Sequence, residues 1–396
     1  MKIIFMGTPD FSVGTLEALV EAGHEVVLAV TQPDKPKGRG KEMQFTPVKE
    51  CALAHNIPVY QPKKIREPEC IEELKKYQAD VCVVVAFGQI LPKEILEMTP
   101  YGCINVHASL LPKYRGAAPI QWAVINGEKV SGVTTMQMDE GLDTGDMLEK
   151  VEITLDKKET GGSLFDKLSA KGAALCVHTI AELEKGTITP QKQGESTTEY
   201  AKMLNKKSGE IDWTKTAVEI ERLIRGLNPW PSAYTQWEGK PMKIWEAEVE
   251  DVVETIDTHE PGTITEVTKH GFKVQTGEGR LAIKSLQIPG KKRMEADAFL
   301  RGYHIEEGEK LYQNVEKIYN ELISSANYRE SEAIKHHLIT NLFPTMAYYK
   351  ALLDNGYNID IALSYVRKET KKSAEMKRIE NQKMSKMPFT YPVSYT

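Results

Sequence analysis

The chain has 396 residues, of which 41% are hydrophobic and 27% are charged, and its formal net charge is −5 at pH 7. The composition predicts a globular protein of two or three domains, and no apolar run approaches the roughly 18 residues that a membrane-spanning helix needs. The negative net charge argues against general binding of polyanions, so a nucleic-acid partner would need local basic patches.

The cysteines and the first residues indicate the setting in which the protein works. The five cysteines include no C-x-x-C pair, which argues against a disulfide scaffold and against a zinc site. The opening sequence, MKIIFM, is too short for a signal peptide and is typical of a buried first strand. We therefore expect a cytoplasmic protein that holds no metal.

The first part of the chain alternates strands and helices. Strands are predicted at residues 2–6, 25–31, 57–60, 81–87 and 103–106, and helices at 10–22, 47–55 and 67–77. These repeated units predict an α/β fold with a doubly wound, mostly parallel sheet. Ligands of such sheets bind beyond the carboxyl ends of the strands. The first turn, GTPDFS, lacks the G-x-G-x-x-G spacing, which argues against a dinucleotide-dependent oxidoreductase.

A loop at residues 33–41 is rich in positive charge. It contains Lys35, Lys37, Arg39 and Lys41 and has no apolar residue to anchor it. We expect a mobile loop, which is either an ordinary solvated loop or a contact for phosphates.

Residues 105–116, NVHASLLPKYRG, carry the strongest chemical signal. In an extended strand, residues i and i+2 project from the same face, so Asn105 and His107 are expected to point into one cleft. An amide donor and an imidazole aimed at one point suit a carbonyl oxygen that becomes negative during nucleophilic attack. Taken alone, the pair is more often a turn cap and a surface histidine.

A second segment, residues 132–146, combines a predicted strand with a glycine-rich loop. Its sequence is GVTTMQMDEGLDTGD, and Asp143 lies between Gly141 and Gly145. Glycines permit backbone shapes that let a carboxylate approach the side chain of another strand closely. Asp143 is therefore a candidate to orient His107 or to accept a proton.

Three further regions follow. A long helix, for which Ser163 is a candidate N-cap, ends near Gly186, and the polar residues 187–205 are predicted to form a linker. Short strands within 206–313, separated by glycine turns, predict a small barrel. Residues 314–396 have helical periodicity with many charges, which usually marks a solvated face.

Two motifs together resemble a known family. HASLLPKYRGAAP at 107–119, followed by MDEGLDTGD at 138–146, closely resembles the folate-dependent formyltransferases. The opening sequence, MKIIFMGTPDFS, is similar to the members of that family that act on methionyl-tRNA. The resemblance covers roughly residues 1–313.

This resemblance implies an activity and a set of site residues. The reaction would move a formyl group from 10-formyltetrahydrofolate to the α-amine of initiator methionyl-tRNA, with Asn105, His107 and Asp143 as catalytic residues and without a metal. The folate would be held by Phe87, Gly88, Gln89, Ile90 and Leu91 and by Ser109, Leu110, Leu111 and Pro112. The tRNA would meet Lys35, Lys37, Arg39 and Lys41, with Lys206 and Lys207 as further phosphate candidates.

The resemblance also implies the domain plan. We expect a Rossmann-like catalytic domain at 1–186, a linker at 187–205, an OB-like tRNA-binding barrel at 206–313 and a helical extension at 314–396. Acids slightly exceed bases in the barrel region, which leaves its share of tRNA binding open. Over short stretches the extension resembles a fragment of the L-2-amino-thiazoline-4-carboxylate hydrolases, and we infer no hydrolase activity from it.

Two alternatives remain at this stage. One is a folate-dependent formyltransferase that acts on a small-molecule amine, and the other is a binding protein without catalysis. The basic loop and the added barrel favour tRNA as the substrate. We expect a monomer that does not associate with membranes.

Overall fold

The computed structural model describes residues 1–37, 42–250 and 259–311. The chain divides into two compact units. The first consists of Met1–Asn205 with Arg225–Pro231, and the second of Lys206–Ile224 with the described residues from Ser232 onward.

The first unit alternates strands and helices as the sequence predicts. Its strands are β1 (Lys2–Gly7), β2 (Glu25–Val30), β3 (Lys35–Lys37), β4 (Glu42–Gln44), β5 (Val59–Tyr60), β6 (Val81–Val85), β7 (Cys103–His107), β8 (Val130–Gln137) and β9 (Met147–Thr154). Its helices are α1 (Asp10–Glu21), α2 (Pro47–Ala54), α3 (Pro68–Lys75), α4 (Lys93–Leu96), α5 (Pro119–Ile125) and α6 (Gly161–Lys185).

Seven of these strands form one sheet in the order β5-β2-β1-β6-β7-β8-β9. Neighbouring strands from β5 to β7 pair in parallel, whereas the β7–β8 and β8–β9 pairs are antiparallel. The predicted doubly wound, mostly parallel sheet is therefore confirmed.

Helices cover both faces of this sheet. Along β1, Ile3 and Phe5 belong to one apolar cluster, and the alternating Ile4 and Met6 belong to another on the opposite face. Burial on both faces explains why the strands are continuous apolar runs. Helix α6 packs closely on the sheet at Gly172, where a Cβ atom would lie 3.1 Å from a methyl carbon of Val106.

Helix α6 begins earlier than the sequence suggests. The N-cap is Thr160, whose hydroxyl accepts a hydrogen bond from the backbone N–H of Ser163. Ser163 is the third helical residue, and its hydroxyl accepts in return from the backbone N–H of Thr160. The prediction of Ser163 as the N-cap is therefore wrong, because this reciprocal capping box satisfies two N–H groups with one residue pair.

The second unit is built on an antiparallel sheet. Its elements are a 3-10 turn (Lys206–Gly209), α7 (Ala217–Gly226), β10 (Ala233–Trp237), β11 (Lys240–Glu250), β12 (Ile264–Thr268), β13 (Gly271–Gln275), β14 (Arg280–Gln287), β15 (Met294–Glu295) and α8 (Ala296–Leu300). The strand order is β10-β11-β14-β13-β12, with β15 beside β14. Within the described residues this is an open path, with no pairing of β12 to β10. The expected β unit is confirmed, while its closure into an OB-like barrel stays a prediction.

The five cysteines are buried and unpaired in the first unit. They are Cys51, Cys70, Cys82, Cys103 and Cys176. Burial raises the pKa of Cys176 to about 12, so its thiol stays protonated near neutral pH.

Two other expectations meet the structure here. None of the helices within residues 1–37, 42–250 and 259–311 has the length and apolar character that crossing a bilayer requires. The predicted helices of the extension lie outside the described residues, and so do Arg39 and Lys41.

Candidate active site

A cavity of about 480 Å³ opens in the first unit, beside the carboxyl ends of β6 and β7. Its lining includes the predicted residues Phe87, Gly88, Gln89, Ile90, Leu91, Asn105, His107 and Asp143. Ligand sites in proteins commonly have volumes of roughly 300–1,000 Å³. The structure thus brings the three predicted catalytic residues together with the first predicted folate loop.

Strand β7 places Asn105 and His107 at the cavity. Both are buried, and both line it from the same face of the strand, as their spacing predicts. The Nε2 atom of His107 lies 3.0 Å from the carbonyl oxygen of Tyr114. A carbonyl oxygen only accepts, so Nε2 carries hydrogen and donates, which leaves Nδ1 as the ring nitrogen that faces the cavity side.

Asp143 approaches that second nitrogen. One carboxylate oxygen, Oδ2, lies 3.7 Å from His107 Nδ1 and accepts a hydrogen bond of 2.9 Å from the backbone N–H of Gly116. Asp143 has a positive φ of 57°, which residues other than glycine seldom adopt. The neighbouring Gly145 is required sterically, because a Cβ atom there would lie 1.8 Å from the carbonyl oxygen of Gln137.

The direction of β8 explains how Asp143 reaches the site. Because β8 is antiparallel to β7, Gln137 pairs with Ile104, and the backbone N–H of Met138 donates to Cys103. The loop after β8 therefore starts level with the first residues of β7. The loop then turns back toward the end of β7, and this brings the Asp143 carboxylate to 3.7 Å from His107 Nδ1.

The turn after His107 has a structural core of its own. The buried hydroxyl of Thr134 donates to the carbonyl of Ser109 at 2.7 Å and accepts from the backbone N–H of Leu111 at 3.1 Å. The Ser109 hydroxyl donates to the carbonyl of Lys113 at 2.6 Å, and the Leu111–Pro112 peptide bond is cis. These hydrogen bonds hold the turn, and the turn sets the position of the Tyr114 carbonyl, which accepts the hydrogen bond from His107.

The second predicted folate segment does not line the cavity. Ser109, Leu110, Leu111 and Pro112 are absent from its walls, and Leu111 is buried against Met136 and Met147. Their contact with folate stays a prediction. Their observed contacts are with the turn itself and with strands β8 and β9, from which Lys150 donates to the carbonyl of Leu111.

The first predicted folate loop is held from outside. The Gln32 amide donates to the carbonyls of Phe87 and Gly88, both at 3.3 Å. The Gln61 amide donates to the carbonyl of Gln32 at 2.9 Å and to Asp34 at 2.7 Å. The loop backbone is thereby tied to the segment that precedes the basic hairpin.

Two parts of the cavity differ in exposure. We call Asn105, His107 and Asp143 the base, and Ile90, Leu142 and Met203 the rim. The rim residues are exposed apolar side chains that line the same cavity.

Four of the six residues predicted to meet tRNA lie in the described part of the chain. Lys35 is exposed on β3, which forms a short hairpin with β4, so this part of the predicted loop has regular structure. Lys37 ends β3, and Lys206 and Lys207 are exposed on the 3-10 turn of the second unit. Arg39 and Lys41 lie outside the described residues. Lys35 does not line the cavity.

The sequence reasoning missed one part of the site. Residues 187–205 were predicted to form a linker, yet Met203 lines the cavity and Ala201 pairs with Gly116. The segment is polar and without periodicity, and only Ala201 and Leu204 are buried. No apolar periodicity marks this segment, so the sequence does not distinguish it from a free linker.

A possible metal-ligand cluster lies apart from this cavity. Among the described residues, ligand atoms of Glu17, Cys51 and His55 lie within 4.8 Å of one another. Burial, and secondarily the charge of Glu17, raises the pKa of the Cys51 thiol to about 11. Glu17 and His55 are exposed, and none of the three residues lines the cavity.

Comparison with known proteins identifies the family. The sequence model described as formyl transferase matches residues 1–180, and the model of the formyl transferase C-terminal domain matches residues 203–304. These two matches end at residue 304 and give no support to the hydrolase-like resemblance of the extension.

Close relatives share most of their length with this chain. The methionyl-tRNA formyltransferase of Agathobacter rectalis is 64% identical over 310 residues, which cover 78% of this chain and 98% of that protein. That of Lachnospira eligens is 58% identical over 310 residues, with the same coverage. A solved structure of WlaRD, a sugar 3N-formyl transferase, superposes with a TM-score of 0.54 at 20% identity, covering 74% of this chain and 99% of that chain. The structural likeness supports the fold, and the sequence identities settle the family: the chain belongs to the methionyl-tRNA formyltransferases.

Proposed function

We propose that this enzyme transfers the formyl group of 10-formyltetrahydrofolate to the α-amine of initiator methionyl-tRNA, with Asn105, His107 and Asp143 as the reacting machinery. The observation that carries the proposal is the meeting of these three side chains at one cavity, although Asp143 comes from a segment about 35 residues away. The product, N-formylmethionyl-tRNA, serves translation initiation.

The reaction requires charge to be stabilised at the formyl group. The neutral α-amine attacks the formyl carbon, a C–N bond forms, and the carbonyl oxygen becomes negative. Asn105 donates to this oxyanion, and His107 adds positive charge when Nδ1 is protonated. Preorganised donors of this kind lower a barrier by about 3 kcal/mol each.

Proton movement completes the transfer. The attacking nitrogen loses one proton, which Asp143 helps to accept, and the bond from the formyl carbon to N10 of the folate breaks. N10 gains a proton, so the products are the formylated amine and tetrahydrofolate. Asp143 suits this role because its carboxylate faces His107 and is held by the N–H of Gly116.

The two substrates are assigned to different surfaces. The loop Phe87–Leu91 would hold the pteridine part of the folate, since it lines the cavity and has a fixed backbone. Lys35, Lys37, Arg39 and Lys41 would meet the acceptor stem of the tRNA, with Lys206, Lys207 and the domain at 206–313 adding phosphate contacts.

A parallel assay tests the choice of substrate. The purified chain is given 10-formyltetrahydrofolate with methionyl-tRNA, or with small amines such as an amino sugar nucleotide. We expect formylation of methionyl-tRNA only. Equal rates on a small amine would contradict the proposal and would favour the small-molecule alternative.

The basic segment provides a second test. Arg39→Ala should raise the KM for methionyl-tRNA or lower kcat with it by roughly tenfold, and should leave folate binding unchanged. Lys2→Ala, at an exposed position of β1, serves as the control for removal of one positive charge. Unchanged kcat and KM in Arg39→Ala would remove this residue from the proposed tRNA contact.

We also propose that the enzyme acts as a cytoplasmic monomer. Five unpaired, buried thiols suit a reducing compartment. Light scattering should give a mass near 44.5 kDa at micromolar concentration. A mass of twice that value would contradict the monomer.

A further inference from the structure

Residues 191–201, which we call the strap, contact both loops that carry the proposed catalytic side chains. At one end, Gln191 pairs with Met147, just after the Asp143 loop. At the other end, Ala201 forms a parallel bridge with Gly116, and its carbonyl accepts from the N–H of Ala117 at 2.8 Å. The strap lies between the two regions that the family models match.

The side chain of Gln193 joins the two loops directly. Its amide nitrogen donates to the carbonyl of Asp143 at 2.9 Å and to that of Gly145 at 2.7 Å. Its amide oxygen accepts from Arg115, from Nε at 3.0 Å and from Nη2 at 2.8 Å. Both hydrogens and both lone pairs of the amide are therefore used.

This network admits a single orientation of the amide. With the amide reversed, its oxygen would face two carbonyl oxygens and its nitrogen would face the Arg115 guanidinium, so no hydrogen bond would form. The Arg115 Nη2 atom also donates to the carbonyl of Gly194 at 3.0 Å, which returns the guanidinium to the strap. Gln193 and Arg115 therefore form one rigid link between the turn after His107 and the Asp143 loop.

The link acts on a residue that needs support. Asp143 has the left-handed φ of 57°, and its carbonyl is one of the two that Gln193 holds. The backbone conformation of Asp143 sets where its carboxylate lies relative to His107 Nδ1 and to the N–H of Gly116. A residue in this sparsely populated backbone conformation keeps it only when several surrounding contacts hold it there.

We propose that Gln193 is a positioning residue for the formyl transfer, acting through Asp143, and that Arg115 fixes Gln193 in turn. This inference rests on the proposed function. Because Gln193 does not line the cavity, its loss should lower kcat without changing substrate binding.

Gln193→Met tests the link, since it keeps the length of the side chain and removes its hydrogen bonds. We expect kcat for methionyl-tRNA to fall about 10- to 100-fold, the range that small misplacements of reacting groups produce. The KM values for both substrates should stay within about twofold. The matched control is Gln191→Met, because Gln191 is exposed and its only hydrogen bonds to described residues are made by its backbone. This control should retain the wild-type kcat.

Gln193→Glu separates the two halves of the link. A glutamate still accepts from Arg115 but places a carboxylate oxygen against the carbonyls of Asp143 and Gly145. We expect kcat as low as in Gln193→Met. Wild-type kcat in Gln193→Glu would show that donation to these carbonyls is unimportant and would overturn the proposal.

A double-mutant cycle distinguishes positioning from a general loss of structure. If Gln193 acts through Asp143, then Gln193→Met should change the single-turnover rate less than twofold in an Asp143→Asn background. The same fold loss in both backgrounds would overturn the proposal, even if Gln193→Met lowers Tm. A wild-type chain that fails to formylate methionyl-tRNA would defeat the proposed function itself, whereas an active wild type with an equally active Gln193→Met would defeat only this inference.

Discussion

At the base of the cavity, Asn105 and His107 are only 8% and 6% exposed, whereas Ile90 and Met203 at the rim are 75% and 78% exposed. The base residues His107 and Asp143 are held by hydrogen bonds to backbone groups. The rim side chains are apolar and project into solvent. Rigid polar groups suit a reacting centre, and adaptable apolar groups suit the binding of a substrate that enters from outside. Substitutions at the base should therefore change kcat, and substitutions at the rim should change KM.

The largest effect is expected at the base, from His107→Ala. This change removes the imidazole that is proposed to stabilise the formyl oxyanion, and we expect kcat to fall about a thousandfold or more. Folate affinity, measured by fluorescence titration, should change less than about threefold. Full activity in this variant would refute the assignment of the base as the reacting centre.

A second prediction concerns the support beneath the base. Thr134→Val removes a fully buried hydroxyl and leaves the carbonyl of Ser109 and the N–H of Leu111 without that partner. We expect the free energy of unfolding to fall by about 1–3 kcal/mol in urea denaturation. Thr144→Val is the control, because its hydroxyl bonds only to the exposed Asp139 in the described structure. An equal loss of unfolding free energy in both variants would contradict the prediction, because it would mean that the buried Thr134 hydroxyl stabilises the protein no more than the exposed Thr144 hydroxyl does.

A third prediction tests the rim. Ile90→Ala removes exposed apolar surface, so we expect the KM of one substrate to rise by about two- to fivefold while kcat stays within twofold. Steady-state kinetics with each substrate varied in turn will show which substrate the rim contacts. A fall in kcat at constant KM would erase the distinction between rim and base.

The smallest effect is expected outside the rim, at Asp34. Hydrogen bonds from Lys49 and then Gln61 hold the pKa of Asp34 below its ordinary value of 3.8. A carboxylate with a lowered folded-state pKa contributes stability above its unfolded pKa and loses it as the pH falls through the folded value. Asp34→Asn should thus be less stable than the wild type at pH 6, by under about 1 kcal/mol, with the difference shrinking below about pH 4. Urea denaturation from pH 3 to 7 measures the stability difference between Asp34→Asn and the wild type. A difference that does not change with pH would contradict the lowered pKa of Asp34.

The sequence predicts the parts of the site that follow simple periodicity. The side chains of Asn105 and His107 share one face because strands repeat every two residues, and β6 is buried on both faces as its apolar run indicates. The approach of Asp143 to His107 was expected, but the path of its loop could not be predicted, because that path depends on β8 being antiparallel to β7. The contacts of the strap could not be predicted either, because hydrogen bonds of its backbone and of the Gln193 side chain hold it, and such contacts leave no apolar pattern.

The segment 109–112 illustrates a different difficulty. The family resemblance implies that its residues hold folate, and in the structure Leu111 packs against Met136 and Met147. An apolar residue in a loop motif serves packing or binding equally well, and only the fold decides which. In this structure Thr134, which is distant in sequence, binds the backbone of Ser109 and Leu111, and the contact of the segment with folate stays a prediction.

The burial of all five cysteines has a practical consequence. Because these thiols are shielded, and the pKa values of Cys51 and Cys176 are raised to about 11 and 12, maleimide dyes should react slowly with the native enzyme. A lone substitution on the surface, such as Lys35→Cys on the hairpin strand β3, would then accept a fluorophore at one defined place. Fluorescence from that single label would then follow the binding and release of the macromolecular substrate in real time.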